Sequence, residues 1–267
     1  MQQIPIGELF PFKNHPFKVL DDESMQRTVE SVEQYGVLSP LIARPRPEGG
    51  YEIISGHRRQ HAAQLAGLDA LPVIVRQMDD DAAVLLMVDS NLQRENILPS
   101  ERAFAYKMKL EALKNQGARS DLTSVQVAPK LATEQIAEDA GTSKDTIKRY
   151  IRLTNLIPEI LQYVDDGRIA FTPAVELSYL NEQEQYDLLE QMELNDCTPS
   201  LSQACRFKKM SGEEGLTPEV IATVMSEEKA NQREMFKVPM ERIRKYVPNA
   251  NTKQAEDFVM KACEHYR

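Results

Sequence analysis

At 267 residues the chain is long enough for two or three domains, and it holds no apolar run of membrane-spanning length. Its three cysteines, Cys197, Cys205 and Cys263, are odd in number and widely spaced, which excludes a disulfide framework and matches no zinc-ligand pattern. The formal net charge of −9 argues against nucleic-acid binding only until it is divided by region. Residues 1–100 hold 9 Lys+Arg against 14 Asp+Glu, residues 101–155 hold 10 against 7, and residues 156–267 hold 13 against 20. Only the middle is basic, so a polyanion is drawn there and repelled by both flanks. No charged-then-apolar leader opens the chain, and the expected location is cytoplasmic, in association with nucleoid or plasmid.

In chain order, Ile4 and Ile6 start a strand, and a Pro-rich crossing runs from Phe10-Pro11-Phe12 to His15-Pro16-Phe17. Asp21-Asp22-Glu23 sits at the positive end of a helix with the stripe Met25, Val29, Val32 and Tyr35, stopped by Gly36. Leu41-Ile42-Ala43 and Tyr51-Glu52-Ile53-Ile54 read as strands around a Gly49-Gly50 turn, followed by a helix from about Gln60 to Ala66 and a strand at Pro72-Val73-Ile74-Val75. A helix follows Asp81. The first domain therefore spans residues 1–98, and Pro99-Ser100-Glu101 opens a long helix with Ala103, Phe104, Met108, Leu110 and Leu113 at helical intervals. Residues 117–130 read as a linker.

The most informative stretch is residues 133–153, TEQIAEDAGTSKDTIKRYIRL. Ile136, Ala137 and Ala140 mark one face of a short helix, Gly141 supplies a turn, and Ile147 and Ile151 repeat the apolar face on a second helix. Thr142 or Ser143 caps that second helix, with Asp145 near its positive end. Its remaining face carries Lys144, Asp145, Thr146, Lys148, Arg149 and Arg152, a mixture of base-reading and phosphate-neutralising groups. With Thr133, Thr142 and Ser143 these are the DNA-binding candidates; a buried helical hairpin is the alternative use of the same spacing. Helices opening at Pro158, Thr172-Pro173 and Asn181 or Glu182 complete an all-α domain over residues 99–195. In residues 196–267, Thr198-Pro199, Thr217-Pro218 and Val238-Pro239 look like helix starts, and Ala255, Phe258, Val259 and Cys263 line a terminal amphipathic helix. Dimerisation, capping and regulation are equally open for that segment.

Two motifs in the first domain bear on chemistry. Ser55-Gly56-His57-Arg58-Arg59 follows a strand and opens a helix, so free amides and two guanidinium groups meet where a phosphate chain fits, although such a pair is also common on solvated surface. Ser90-Asn91-Leu92-Gln93-Arg94-Glu95-Asn96 is a polar run that either completes such a pocket or caps a helix junction. His57 and His61, four apart, lack an evident third metal ligand, and Asp79, Asp80 and Asp81 are better placed as helix caps than as a magnesium site.

These pieces in this order, from IPIGELFPF through YGVLSPLIARP, ISGHRRQHAAQLAG, SNLQRENILPSERA and the helix-turn-helix to PEILQYVDDGRIAFTPAVELSYL, resemble the ParB family of partition proteins, including KorB-like repressors. The resemblance implies an α+β chain: a small ParB/sulfiredoxin-like α/β domain, an all-α helix-turn-helix domain and a helical C-terminal segment. It implies a dimer that binds a centromere-like or operator palindrome, with cytidine triphosphate (CTP) and magnesium in the first domain. Gly56, Arg58 and Arg59 match the family's Gly-Glu-Arg-Arg motif, and Asn91, Gln93 and Arg94 its Glu-Asn-Leu-Gln-Arg motif. His57 and Ser90 replace acidic residues and Ser39 a glutamine, which removes oxygen ligands for magnesium and groups that orient a water. A nucleotide pocket with slow, altered or absent turnover is expected, magnesium is not, and a repressor role is the alternative to segregation. The first strand begins almost at Met1, without the basic arm that stimulates a ParA-type ATPase, so that partner is not expected. A sulfiredoxin-like enzyme would need a cysteine near Gly56, and none stands there.

Overall fold

The computed structural model describes residues 1–94, 96–120, 128–213, 215–227, 240–248 and 251–265. Residues 1–225 form one compact unit and residues 226–267 a second. In the first unit the order is β1 (Gln2–Pro5), β2 (Leu9–Phe10), α1 (Glu23–Tyr35), β3 (Leu41–Pro45), β4 (Tyr51–Ser55), α2 (His57–Leu65), β5 (Ala70–Val75) and α3 (Asp80–Leu92). Then come α4 (Pro99–Ser120), α5 (Ala128–Asp139), α6 (Lys144–Arg152), α7 (Pro158–Asp165), α8 (Phe171–Leu177), α9 (Glu182–Leu194), α10 (Leu201–Glu213) and α11 (Pro218–Ser226). The second unit contributes α12 (Met240–Arg244) and α13 (Thr252–His265), with Ala255 buried and Phe258 and Met260 exposed. Among the described residues no helix is long and apolar enough to cross a membrane.

The strands form one mixed sheet in the order β1-β5-β3-β4-β2, antiparallel at β1/β5 and β3/β4 and parallel at β3/β5 and β2/β4. Strand alternation sends neighbouring side chains to opposite faces. Ile53 thus joins Met25, Val32, Ala62 and Ala63 beneath α1 and α2, while Ile54 joins Phe12, Phe17, Met87 and Val88 beneath α3. Both isoleucines are fully buried, so the sheet is covered on both faces and its edges and loops remain for function.

Ile6 lies in a one-turn helix after β1, and β2, the two-residue edge strand, has no alternating pattern to announce it. The helix predicted from Gln60 begins three residues earlier, at His57, and Ser90, Asn91 and Leu92 belong to α3 rather than to a connector. Of residues 117–130, α4 takes the part up to Ser120 and α5 the part from Ala128; residues 121–127 lie outside the described residues, as do Val238 and Pro239. The helical core runs past residue 195: Ala204, Phe207, Leu216, Ile221, Val224 and Met225 pack with Leu153, Ile160, Leu177 and Leu188. Glu184, only 4% exposed, ties that extension down by accepting from the Ser211 hydroxyl (2.7 Å) and the Leu216 amide (3.2 Å) while closing a capping box with Asn181.

The long helix α4 buries Ala103, Ala105, Tyr106, Lys109 and Ala112, and it exposes Phe104. Ala105 packs among α3 residues, Tyr106 packs on α5, and Lys109 bridges the two helices: its Nζ lies 2.7 Å from Asp89 Oδ1 on α3 and 2.7 Å from Asp139 Oδ2 on α5. Burial opposes its charge, yet the hydrogen bonds it donates to Asp139 and Asp89 outweigh that and raise its pKa. Removing one member of a bridge this buried strands the opposite charges, although here the carboxylates are half-exposed and partly screened. Lys109→Met should lower the unfolding free energy by about 1–2 kcal/mol in urea titrations, and adding Asp139→Asn should return part of it.

Candidate nucleic-acid interface and anion cleft

α5 and α6 make a helix-turn-helix. Gly141 has φ 59°, which a residue with a side chain adopts at a cost, and the Thr142 amide donates back to the Ala137 carbonyl (2.9 Å), closing the first helix. Ser143, not Thr142, caps α6: its hydroxyl accepts from the Thr146 amide (3.1 Å). Ile136, Ala137 and Ile147 form the seam between the helices and pack on Tyr106 of α4. This seam leaves Lys144, Asp145 and Lys148 exposed on α6. Lys144 reaches Glu134 (2.5 Å), and Lys148 stands 3.9 Å from Asp145.

The other two basic residues of that helix turn back onto the domain. Arg149 donates to the Thr172 hydroxyl (3.0 Å) and lies over the Phe171 ring; Arg152 donates to the Ser178 carbonyl (3.2 Å) with its guanidinium 3.7 Å from the Tyr179 ring centre. Thr133 is 7% exposed in α5. The outward face is therefore Lys144, Asp145, Thr146 and Lys148, with Arg149 at its margin.

A cleft of about 700 Å³ in the first domain is lined by Lys18, Asp22, Ser24, Arg58, Arg94, Asn96 and Glu101, among others. Arg58 is delivered by the start of α2, where Gly56 takes φ 112° and offers no side-chain cap, so the first amides of α2 lack partners within their helix. A Cβ on Gly56 would stand 2.8 Å from Leu41 Cγ, so this approach needs glycine. Arg58 donates to the Ser24 hydroxyl (3.1 Å) and stands 3.6 Å from Asp22. Arg94, just past α3, has its pKa lowered by burial and by the positive charge of Arg58, with Glu101 opposing. Two guanidinium groups that repel one another in one cleft form a site that an anion stabilises.

Residues 1–92 match the family model described as the ParB N-terminal domain, and residues 120–200 match that of the ParB HTH domain. The chain belongs to the ParB family. It is 37% identical over 170 residues to stage 0 sporulation protein J of Bacillus subtilis, covering 64% of this chain and 54% of that one. The chain spans about half the length of the curated relatives it matches. Among solved structures it is similar to the C-terminally truncated chromosome-partitioning protein ParB from Caulobacter crescentus. In complex with the centromeric parS site that protein shows 25% identity and a TM-score of 0.45, over 78% of this chain and 99% of that one. In complex with CTP-gamma-S the figures are 27% and 0.33, over 72% and 97%.

Within the ParB N-terminal domain the motif residues divide. Arg58 and Arg94 share the cleft, whereas Arg59 donates to the Ser39 and Pro40 carbonyls (2.6 and 2.8 Å) and so fixes the loop before β3. Asn91 is 5% exposed and spends its amide on the Met87 carbonyl (2.8 Å), and Gln93 lines a different cavity with Asp89, Arg102, Lys109 and Asp139. His57 is buried against His15, ring centres 3.9 Å apart, and accepts from the Phe12 amide (3.4 Å). His61 pairs with Asp21 (2.6 Å), so the two histidines of the spaced pair serve different partners. Asp79 caps α3 through the Ala82 amide (2.8 Å), and Asp80 pairs with Arg44 (2.7 Å).

The cleft fits a polyphosphate better than a cation. Both Glu101 oxygens accept backbone amides, from Lys18 (2.7 Å) and Leu98 (3.1 Å), and Asp22 is committed to the α1 cap and to Arg58. Among the described residues no three His, Cys, Asp or Glu side chains converge as metal ligands. The sequence marks neither Lys18 nor Ser24, and it reads Asp22 and Glu101 only as acids at helix starts. Lys18 sits in an irregular crossing without period, and Glu101 reads as an ordinary first-turn helix acid.

Proposed function

We propose that the chain is a partition-type DNA-binding protein that reads a specific duplex site through the outward face of α6, and that its N-terminal cleft holds the triphosphate of CTP. The observation that carries the first half is the packed Ile136-Ala137-Ile147 seam, which turns Lys144, Asp145, Thr146 and Lys148 outward from the start of α6 in the one basic region of an acidic chain. The second half is supported by Arg58 and Arg94 meeting at the uncapped start of α2, and cytidine follows from membership of the family. Bound CTP would supply the charge that Arg58 and Arg94 neutralise, and the engaged carboxylates Asp22 and Glu101 favour holding it over rapid hydrolysis. The reading includes two copies on a palindromic site, and either segregation or repression as the outcome.

Selection of bound sequences from genomic DNA, with and without CTP, tests both halves. On the selected site Lys144→Ala and Lys148→Ala should each weaken binding and reduce the salt slope by about 1. Unchanged affinity and slope in both variants would return α6 to a purely structural role.

A further inference from the structure

Lys18 stands between the cleft and the DNA-binding half. Its amide is anchored on Glu101 (2.7 Å), which fixes where the side chain starts, and the side chain is 46% exposed. It lines the arginine cleft, yet its Nζ lies 3.6 Å from Asp165 Oδ2, at the end of α7, and 3.4 Å from Gln162 Oε1 on the same helix. Asp165 needs Lys18 little. Its side chain is 3% exposed, and its two oxygens already accept the Ser100 amide (2.9 Å) and the Ser100 hydroxyl (2.5 Å) that open α4. The contact to Lys18 is the longest of the three.

We propose that Lys18 is an exchangeable ligand: it holds Asp165 and Gln162 of α7 in the structure described here, and it turns to the phosphates of a nucleoside triphosphate bound beside Arg58 and Arg94. This rests on the triphosphate reading of the cleft. An ammonium on a four-carbon stem is suited to such a swing, and a polyphosphate competes well against one carboxylate that is already satisfied. Charge balance points the same way: Asp22 and Glu101 line the cleft beside Arg58, Arg94 and Lys18, so the cations outnumber the acids. Occupancy of the cleft thereby releases the side-chain tie between the loop before α1 and α7, and ligand binding is linked to the docking of the helix-turn-helix domain.

The test uses the full chain, with CTP and inorganic triphosphate as probes in calorimetry and circular dichroism to verify folding. Lys18→Ala should weaken both probes about tenfold, the worth of one charge-assisted hydrogen bond. Gln162→Ala, which leaves the α4 cap untouched, should tighten them about twofold by removing a competitor. The factor by which CTP changes DNA affinity should shrink toward one in Lys18→Ala, because the coupling is reciprocal. A folded Lys18→Ala variant that binds the probes as the parent does overturns this proposal alone, as does a Gln162→Ala variant weakened as much as Lys18→Ala. Absence of binding by the parent chain overturns the triphosphate reading with it.

Discussion

Ile147→Ala is expected to lower the unfolding free energy of the first unit by about 3 kcal/mol, and its Tm by about 6–12 °C. Ile147 is fully buried and holds α6 against Ile136, Ala137 and Tyr106. Removing its outer carbons leaves a cavity under a nine-residue helix, too short to persist without packing. The loss should therefore show in DNA affinity before global unfolding. Anisotropy titrations should find weaker binding at 37 °C that recovers on cooling, while an exposed control such as Lys148→Ala keeps its Tm. A thermal transition identical to that of the parent chain would mean that the seam does not support α6.

Acid should destabilise the chain through His57. Burial, reinforced by the neighbouring His15 and by the charge of Arg94, lowers its pKa from 6.5 to about 3, and His15 is lowered in the same direction, mainly by burial. A group with a depressed imidazole pKa is neutral when folded and takes up a proton when unfolded. Its contribution is complete above the unfolded value of 6.5 and is lost as pH falls from there toward 3. For His57 the loss amounts to about 2 kcal/mol at pH 5 and about 3 kcal/mol at pH 4. Urea titrations of the parent and of His57→Asn, at pH 7 and pH 5, separate this from general acid effects. The variant should lose about 2 kcal/mol less than the parent over that interval. Equal losses would mean that the imidazole is already hydrated or protonated in the fold.

Much of the helix-turn-helix was legible because it is local. The Ile136, Ala137, Gly141 and Ile147 spacing fixes seam and turn within about a dozen residues, and they pack as that spacing requires. The cleft was half legible. Gly56 and Arg58 announce themselves beside a strand end, but their partners come from a crossing at Lys18, a cap at Asp22 and a helix start at Glu101, which converge only through the tertiary fold. On α4 the stripe is mostly right: Ala103 is buried and Met108, Leu110 and Leu113 pack against core clusters, but Phe104 is exposed, and the buried Lys109 carries no apolar signal to announce it. Asn91 and Gln93, within three residues of Arg94 in sequence, face elsewhere: Asn91 is still inside α3 and bonds back to Met87, whereas Arg94 lies past the helix end.

The rings of Tyr106, Tyr150 and Phe171 form a row, with centres 5.7 and 4.5 Å apart, that runs from α4 through α6 to α8. Rings packed edge-on or tilted are stiff spacers, so a sideways slide of α4 pushes α6 and α8 by a similar amount instead of being absorbed between them. The chain contains no tryptophan, and this row therefore places two of its phenols in the path of any such slide. Near-ultraviolet dichroism of the unlabelled protein becomes a native gauge of whether α4, α6 and α8 move together.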